Sequence, residues 1–282
     1  MRVEELPLVP FYAGSVALGA ASGALAAVLA DVLPRRYGIT LLVTGSPRTK
    51  RNVMVVALAT ACAIGLAARV AAHPSLEART AAWYLAVSIV LSALAIGSAA
   101  IDLEHMILPD EITYGGALLG LVTSPFRYGL ASSAIGAVVA VAVTWLPHLV
   151  FRLVRKKAGQ GLGDVKLVLM AGAWQGPLGA VFVTFAGALQ SAIAAVVMNA
   201  LHLTYAVPAS VSAEIDELRA KAAAGDEEAK QALADDPMAA EPGEGVLATR
   251  LPLGPFLALA CVELLFTRDV VSSLVDRFFS GP

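Results

Sequence analysis

Two aspartates stand at the ends of long apolar stretches in this chain. Asp164 lies in Gly161-Leu162-Gly163-Asp164-Val165-Lys166-Leu167, where a Gly-rich turn meets an apolar run. Asp102 lies 62 residues earlier, in Ile101-Asp102-Leu103-Glu104-His105-Met106-Ile107-Leu108-Pro109-Asp110. Two carboxyl groups can hydrolyse a peptide bond without a metal or a covalent nucleophile. One, ionised, takes a proton from water. The other, protonated, polarises the carbonyl, and their closeness makes the pair share a single proton. An isolated charged Asp at the centre of a membrane helix costs about 2.5–3.5 kcal/mol. A neutral or shared-proton carboxyl is easier to hold there. Gly161 and Gly163 allow unusual backbone angles and a close approach of backbone to substrate.

Each polar residue has a structural reading beside the chemical one. An Asp that opens a helix can simply cap it or complement its dipole. That reading applies to Asp164 and also to Asp110, which follows Pro109 and reads as an N-cap. Asp102 sits instead at the end of a helix, where the dipole disfavours negative charge, so a purely structural role suits it poorly. Lys166 can pair with a carboxylate or extend its ammonium to the lipid headgroups. Glu104 and His105 read as solvated loop residues. His148, Gln190, Asn199, His202 and Glu263 are scattered through apolar runs without metal-ligand spacing. Interhelical hydrogen bonding is the expectation for them, and Glu263 should face a partner or water.

The elements that carry these residues are membrane helices. The chain is 58% hydrophobic and only 15% charged, with a mean hydropathy of +0.74. Soluble domains are about a quarter charged, and the apolar excess falls in runs near the roughly 20 residues a crossing helix needs. One all-α membrane domain is expected over 1–205 and 251–282. The segments run over about 8–33, 53–72, 82–101, 112–126, 130–151, 165–174, 178–205 and 251–266, giving about eight crossings. Gly176-Pro177 separates the sixth from the seventh. The first segment is rich in Gly, Ala and Ser, which let helices approach closely, and it reads as a retained helix rather than a cleaved signal. Basic loops at 34–52 and 152–157 point to the cytoplasm. They put the N-terminus outside and both aspartates at the cytoplasmic face. Residues 206–250, polar and acidic, read as a cytoplasmic insertion, either helical or disordered.

The two cysteines, Cys62 and Cys261, lie in apolar runs and form no CxxC pair. No HExxH, P-loop, dinucleotide fingerprint or Ser-His-Asp order occurs. No metal or cofactor is expected, and no basic tract suits nucleic acid.

Three blocks resemble the type IV prepilin peptidases, membrane aspartic proteases of the GxGD class. Ile101-Asp102 through Leu108-Pro109-Asp110-Glu111-Ile112-Thr113 is similar to the family's first aspartate motif. Gly159-Gln160-Gly161-Leu162-Gly163-Asp164-Val165-Lys166-Leu167, followed by Gly172-Ala173-Trp174, is similar to the second. Leu251-Pro252-Leu253-Gly254-Pro255-Phe256 resembles the block that opens the family's last helix. The resemblance implies a catalytic pair of Asp102 and Asp164, supported by Gly161, Gly163, Lys166, Pro109 and Asp110. It implies prepilin or pseudopilin substrates, cleaved between a short basic leader and an apolar helix at the cytoplasmic membrane of a bacterium. The family's full-length bacterial pattern carries two CxxC pairs after the first helix. This chain has a short, basic, cysteine-free stretch there, which puts N-methyltransferase activity in doubt.

An ion-coupled transporter with paired carboxylates as a proton relay is the competing reading. It would favour inverted repeats with interrupted helices in matching halves. No such repeat is seen, and the aspartates lie at helix ends rather than at mid-bilayer. A catalytically idle scaffold in a pilus or secretion assembly would not require both aspartates and the GxGD turn.

Overall fold

The computed structural model describes residues 2–40, 42–73, 76–155, 162–235 and 251–280. Among them the architecture is all-helical. Its helices are α1 (Leu8–Arg36), α2 (Gly45–Ala71), α3 (Ala78–His105), α4 (Asp110–Val122), α5 (Gly129–Arg155), α6 (Leu162–Ala200), α7 (Ala209–Ala223), α8 (Glu227–Asp235) and α9 (Gly254–Ser280). Five of these, α1, α2, α3, α5 and α6, are long and apolar enough to cross a membrane.

Small residues set the packing of the first pair. Gly19 and Gly23 face Ala59 and Ala63 of α2, and a methyl group on Gly23 would lie 3.0 Å from Val56 Cα. Four-residue spacing puts both glycines on one face of α1. The backbones therefore meet closely, as small-residue pairs allow in lipid. The α2 helix begins at Gly45, earlier than the hydropathy indicated. Arg48, Lys50 and Arg51 are thus helical, and the expected loop of about twenty residues shrinks to 37–44.

The α3 helix is the central post. It packs against α1, α2 and α9, and Ile89, Leu91, Ala95 and Ile101 along it are buried. At 28 residues and 1.5 Å per residue it is about 42 Å long, enough to carry Asp102 from one membrane face to the other. The residue after it, Met106, takes a left-handed conformation with φ 53°, and its N–H bonds to the Asp102 carbonyl. The turn then passes through Pro109 into α4.

Helix α6 does not run straight. Gly176, with φ 74° and ψ −168°, breaks it just before Pro177. A Cβ on Gly179 would lie 3.3 Å from the Ala171 carbonyl oxygen. Eight residues of unbroken helix would separate those positions by about 12 Å, so the chain reverses at Gly176. Only glycine adopts that backbone cheaply. The first arm, 162–175, enters the bundle, and the second arm, 178–200, returns. After that return the Tyr205 hydroxyl donates to the Leu103 carbonyl at 2.5 Å, at the same end of the bundle as Asp102.

The reversal is covered by α9. Arg268 Nη1 donates to the Gln175 carbonyl at 2.9 Å, and Gln175 Nε2 donates to the Cys261 carbonyl at 2.7 Å. Gln190 Nε2 donates to the Glu263 carboxylate at 2.6 Å, so Glu263 has the interhelical partner its position required. The α9 helix continues to Ser280 rather than ending near Phe266. Within 206–250, α7 and α8 pack on each other, with Ile215 and Ala229 buried. Residues 236–250 lie outside the described residues.

Glycines also bring α5 against the first arm of α6. A methyl on Gly136 would collide with the Gly172 carbonyl oxygen and lie 2.6 Å from Gly176 Cα. Gly136→Val should therefore destabilise the detergent-purified protein by about 1–3 kcal/mol through overpacking. Gly14, which faces open space, should accept the same change. Equal melting temperatures for the two variants would rule out the close α5–α6 contact.

Candidate active site

Asp102 lies in the last turn of α3 and is 5% exposed. Asp164 lies in the first turn of α6 and is half-buried. The two carboxyl groups are close enough for their charges to interact. The structure thus brings together the two aspartates that the sequence singles out.

A third element completes the site. The Gly254 N–H, at the start of α9, donates a hydrogen bond to the Asp102 carboxyl group. The approach is so close that a Cβ on Gly254 would run into Asp102 Oδ2 and sit 2.9 Å from its Cγ. Gly254 belongs to the Leu251–Phe256 block, but spacing alone assigned it no task. A glycine before a proline at a helix start is its one signal, and that signal does not say what approaches.

The supporting residues sort differently. Gly163 packs against Leu108, to which an added Cβ would come within 3.2 Å, so the two aspartate blocks touch there. Gly161 lies outside the described residues, as do Gly159 and Gln160. Pro109, not Asp110, is the N-cap residue of α4, and no side chain caps that end. Asp110 is the first helical residue, and its carboxylate accepts from Lys166 Nζ at 2.5 Å. That corrects the capping role expected of Asp110. Lys166 is an ion-pair partner linking the two motifs, and its ammonium also sits 5.4 Å from the Tyr114 ring. Tyr37 adds a bridge to the first block, its hydroxyl accepting from the Asp110 N–H at 2.7 Å and donating to Glu111 Oε2 at 3.1 Å.

Glu104 and His105 are not solvated. His105 is buried, and Glu104 forms an ion pair with Arg51, itself 7% exposed. Arg51 also pairs with Asp31, which holds Arg48 with bonds of 2.9 and 2.7 Å to its two oxygens. This Asp31–Arg51–Glu104 chain ties α1 and α2 to α3 two residues beyond Asp102. The early start of α2 puts Arg51 on a helix facing α3, where hydropathy indicated a loop. Burial pushes the Tyr205 phenol up from its ordinary value, with the charges of Asp102 and Glu104 adding to the effect. Tyr205 therefore stays protonated and keeps donating to Leu103. An apolar cavity of about 230 Å³ lies between α2, α3 and α9, reaching Leu103 and Pro255 beside Asp102. Among the described residues, no group of three or more His, Cys, Asp or Glu could hold a metal ion.

The profile of the type IV leader peptidase family matches residues 89–197. This chain resembles the type IV leader peptidases. The matched span contains Asp102, Asp110, Asp164 and Lys166 and excludes the Gly254 block. Relatives named prepilin leader peptidase/N-methyltransferase match it over similar stretches. The one from Stutzerimonas stutzeri is 34% identical over 96 residues, 33% of each chain. The one from Xanthomonas campestris pv. campestris is 36% identical over 112 residues, 38% of each. The one from Neisseria gonorrhoeae is 33% identical over 119 residues, 42% of each. The matched segment spans about a third of the length of the first of these relatives. No solved structure matches.

Removing one partner from a buried ion-pair chain strands the others, typically at about 3–5 kcal/mol. Arg51→Met should lower thermal stability by that order. Arg48→Met, at the more exposed end, should cost under about 1 kcal/mol. Unfolding curves in detergent that place Arg48→Met at or below Arg51→Met would show that the cluster does not depend on Arg51.

Proposed function

We propose that the chain is a membrane aspartic endopeptidase that removes the short basic leader of prepilin-like proteins, with Asp102 and Asp164 as the catalytic pair. The observation that carries this reading is that the Asp102 and Asp164 carboxyl groups lie close enough for their charges to interact, with the Gly254 N–H at the start of α9 bonded to Asp102. The match of residues 89–197 to the type IV leader peptidases supports it, as do the names of the relatives.

In this reading one carboxylate takes a proton from a water molecule while the other, protonated, donates a hydrogen bond to the scissile carbonyl oxygen. The water oxygen adds to the carbonyl carbon, giving a tetrahedral intermediate. Collapse breaks the C–N bond, and a proton returns from the pair to the leaving amine. The Gly254 N–H holds the Asp102 carboxyl in one orientation throughout, and a preoriented pair is what such a step needs. The apolar cavity beside Leu103 and Pro255 suits the apolar segment that follows a leader. Gly163, Lys166, Pro109 and Asp110 act by position, joining the two aspartate blocks. Gly161 is part of the same proposed motif.

The proposal includes the topology: about eight crossings in a bacterial cytoplasmic membrane, N-terminus outside, with 1–205 and 251–282 as the membrane domain and 206–250 as a cytoplasmic insertion. Five apolar helices support a multi-pass arrangement. The methyltransferase half of the relatives' name is not carried over, since the cysteine pairs expected with it are missing. The transporter reading gains no support from the matches.

Asp102→Asn and Asp164→Asn should each abolish cleavage of a prepilin substrate at normal expression, because an amide neither accepts nor delivers the proton. The double variant should be no worse than either single one, since the two act as a unit. Asp110→Asn should keep more activity than either. Mass spectrometry of the products reads the result, and substantial cleavage by an Asp102 or Asp164 variant would overturn the mechanism.

Topology has its own test. Cysteines introduced at Gly45 and Gly225 should resist an impermeant thiol reagent in intact cells, and one at Arg79 should react. The reverse pattern would invert the orientation.

A further inference from the structure

A second cavity, bordered by charged side chains, lies at the far end of α3. Thr80, Ala81 and Tyr84 line it, and 21 residues of helix put Ala81 about 30 Å from Asp102. Its volume is about 330 Å³, and Arg69, Arg127, Arg268 and His73 all border it. The one carboxylate among the described lining residues, Asp269, is engaged by Arg69 at 2.5 Å. Three guanidinium groups face a single carboxylate.

Arg127 is the decisive residue. Its Nη2 donates to the Gly120 carbonyl and, at 3.2 Å, to Thr123 Oγ1. Its Nε and Nη1 are buried and find no acceptor among the described residues. Those two nitrogens carry three N–H donors. A buried charged donor without an acceptor is costly, so the arginine cluster is short of anionic partners. Burial lowers Arg127 only to about 10, and it remains a cation at neutral pH. Its guanidinium carbon lies over the Trp174 ring, 5.0 Å from the centroid. The Arg268 guanidinium carbon likewise lies over the Tyr128 ring, at 3.9 Å.

The rest of the lining narrows the ligand. Val70, Leu76 and Phe126 give the cavity an apolar wall. Phe126 stacks on Trp83 at 4.9 Å, and both rings are half-exposed, as aromatic residues at a membrane–water boundary are. Clustered guanidinium groups donate strong N–H bonds to tetrahedral oxyanions, and the apolar wall leaves room for what such a group is attached to.

We propose that this cavity binds a phosphate group, carried by an anionic lipid headgroup at the membrane face opposite the aspartates. The site is separate from the proposed peptidase centre and does not depend on it.

The full chain, purified in detergent, can be melted with short-chain phosphatidylglycerol, with diacylglycerol of the same chain length, and with inorganic phosphate. Phosphatidylglycerol should raise the melting temperature by roughly 5 °C near saturation, and diacylglycerol should not. A rise with inorganic phosphate as well would support the phosphate site, with a soluble source of the anion. Arg127→Gln should abolish the shift. Leu76→Glu should abolish it too, by setting a carboxylate at the half-exposed rim while leaving every arginine contact in place, and it decides the matter if Arg127→Gln does not fold. No shift with either phosphate compound, an equal shift with diacylglycerol, or an undiminished shift in Leu76→Glu would overturn the proposal.

Discussion

The hydrogen bond from the Gly254 N–H to the Asp102 carboxyl group is the contact on which the rest of the structure turns. A carboxyl at the C-terminal end of a helix faces carbonyl dipoles of its own sign, so α3 alone gives Asp102 a hostile seat. The N-terminus of α9 supplies the opposite dipole and a free N–H donor. That approach is possible only because residue 254 has no side chain. With α9 docked there, α3 is held at the middle of the bundle, and Asp102 lies within range of the Asp164 charge.

Other constraints secure the same end. The Lys166–Asp110 pair and the Gly163–Leu108 contact join the two aspartate blocks directly. The Asp31–Arg51–Glu104 chain ties α1 and α2 to the last turn of α3. These ion pairs lie near a helix end, where charge is less costly than at the bilayer centre. The opposite end is held by arginines on aromatic rings and on the carbonyls of Gln175 and Gly120. The bundle is apolar in its middle and clamped by charge at its two ends.

Much of this was legible in the sequence. Hydropathy alone marks α1, α3 and α5, and Gly176-Pro177 marks the reversal, because both residues interrupt a helix by known sterics. Asp102 and Asp164 stand out because a carboxylate at the edge of an apolar run needs a reason. The start of α2 was missed because Arg48, Lys50 and Arg51 read as loop charges. Hydropathy cannot see that Asp31 and Glu104 neutralise Arg51 from neighbouring helices. Glu104 and His105 were misread for the same reason, since their burial comes from helices distant in sequence. The capping role of Asp110 failed because Pro109 already occupies the cap position and Lys166 claims the carboxylate. Gly254 was visible only as part of a block, since a glycine gives no sign of which side chain will approach it.

The reversal at Gly176 has a consequence for how such a chain is made. The peptide groups freed by the break need partners where water is scarce, and Arg268 on α9 donates to the Gln175 carbonyl. The same helix brings Gly254 to Asp102. Ribosomal synthesis delivers α9 after α3 and α6, so both aspartates reach the bilayer before the element that joins them. Until α9 is threaded in, the nascent chain holds its acidic residues without their final alignment. Assembly of the site is thereby tied to the completion of insertion, and a chain stalled before α9 lacks that alignment.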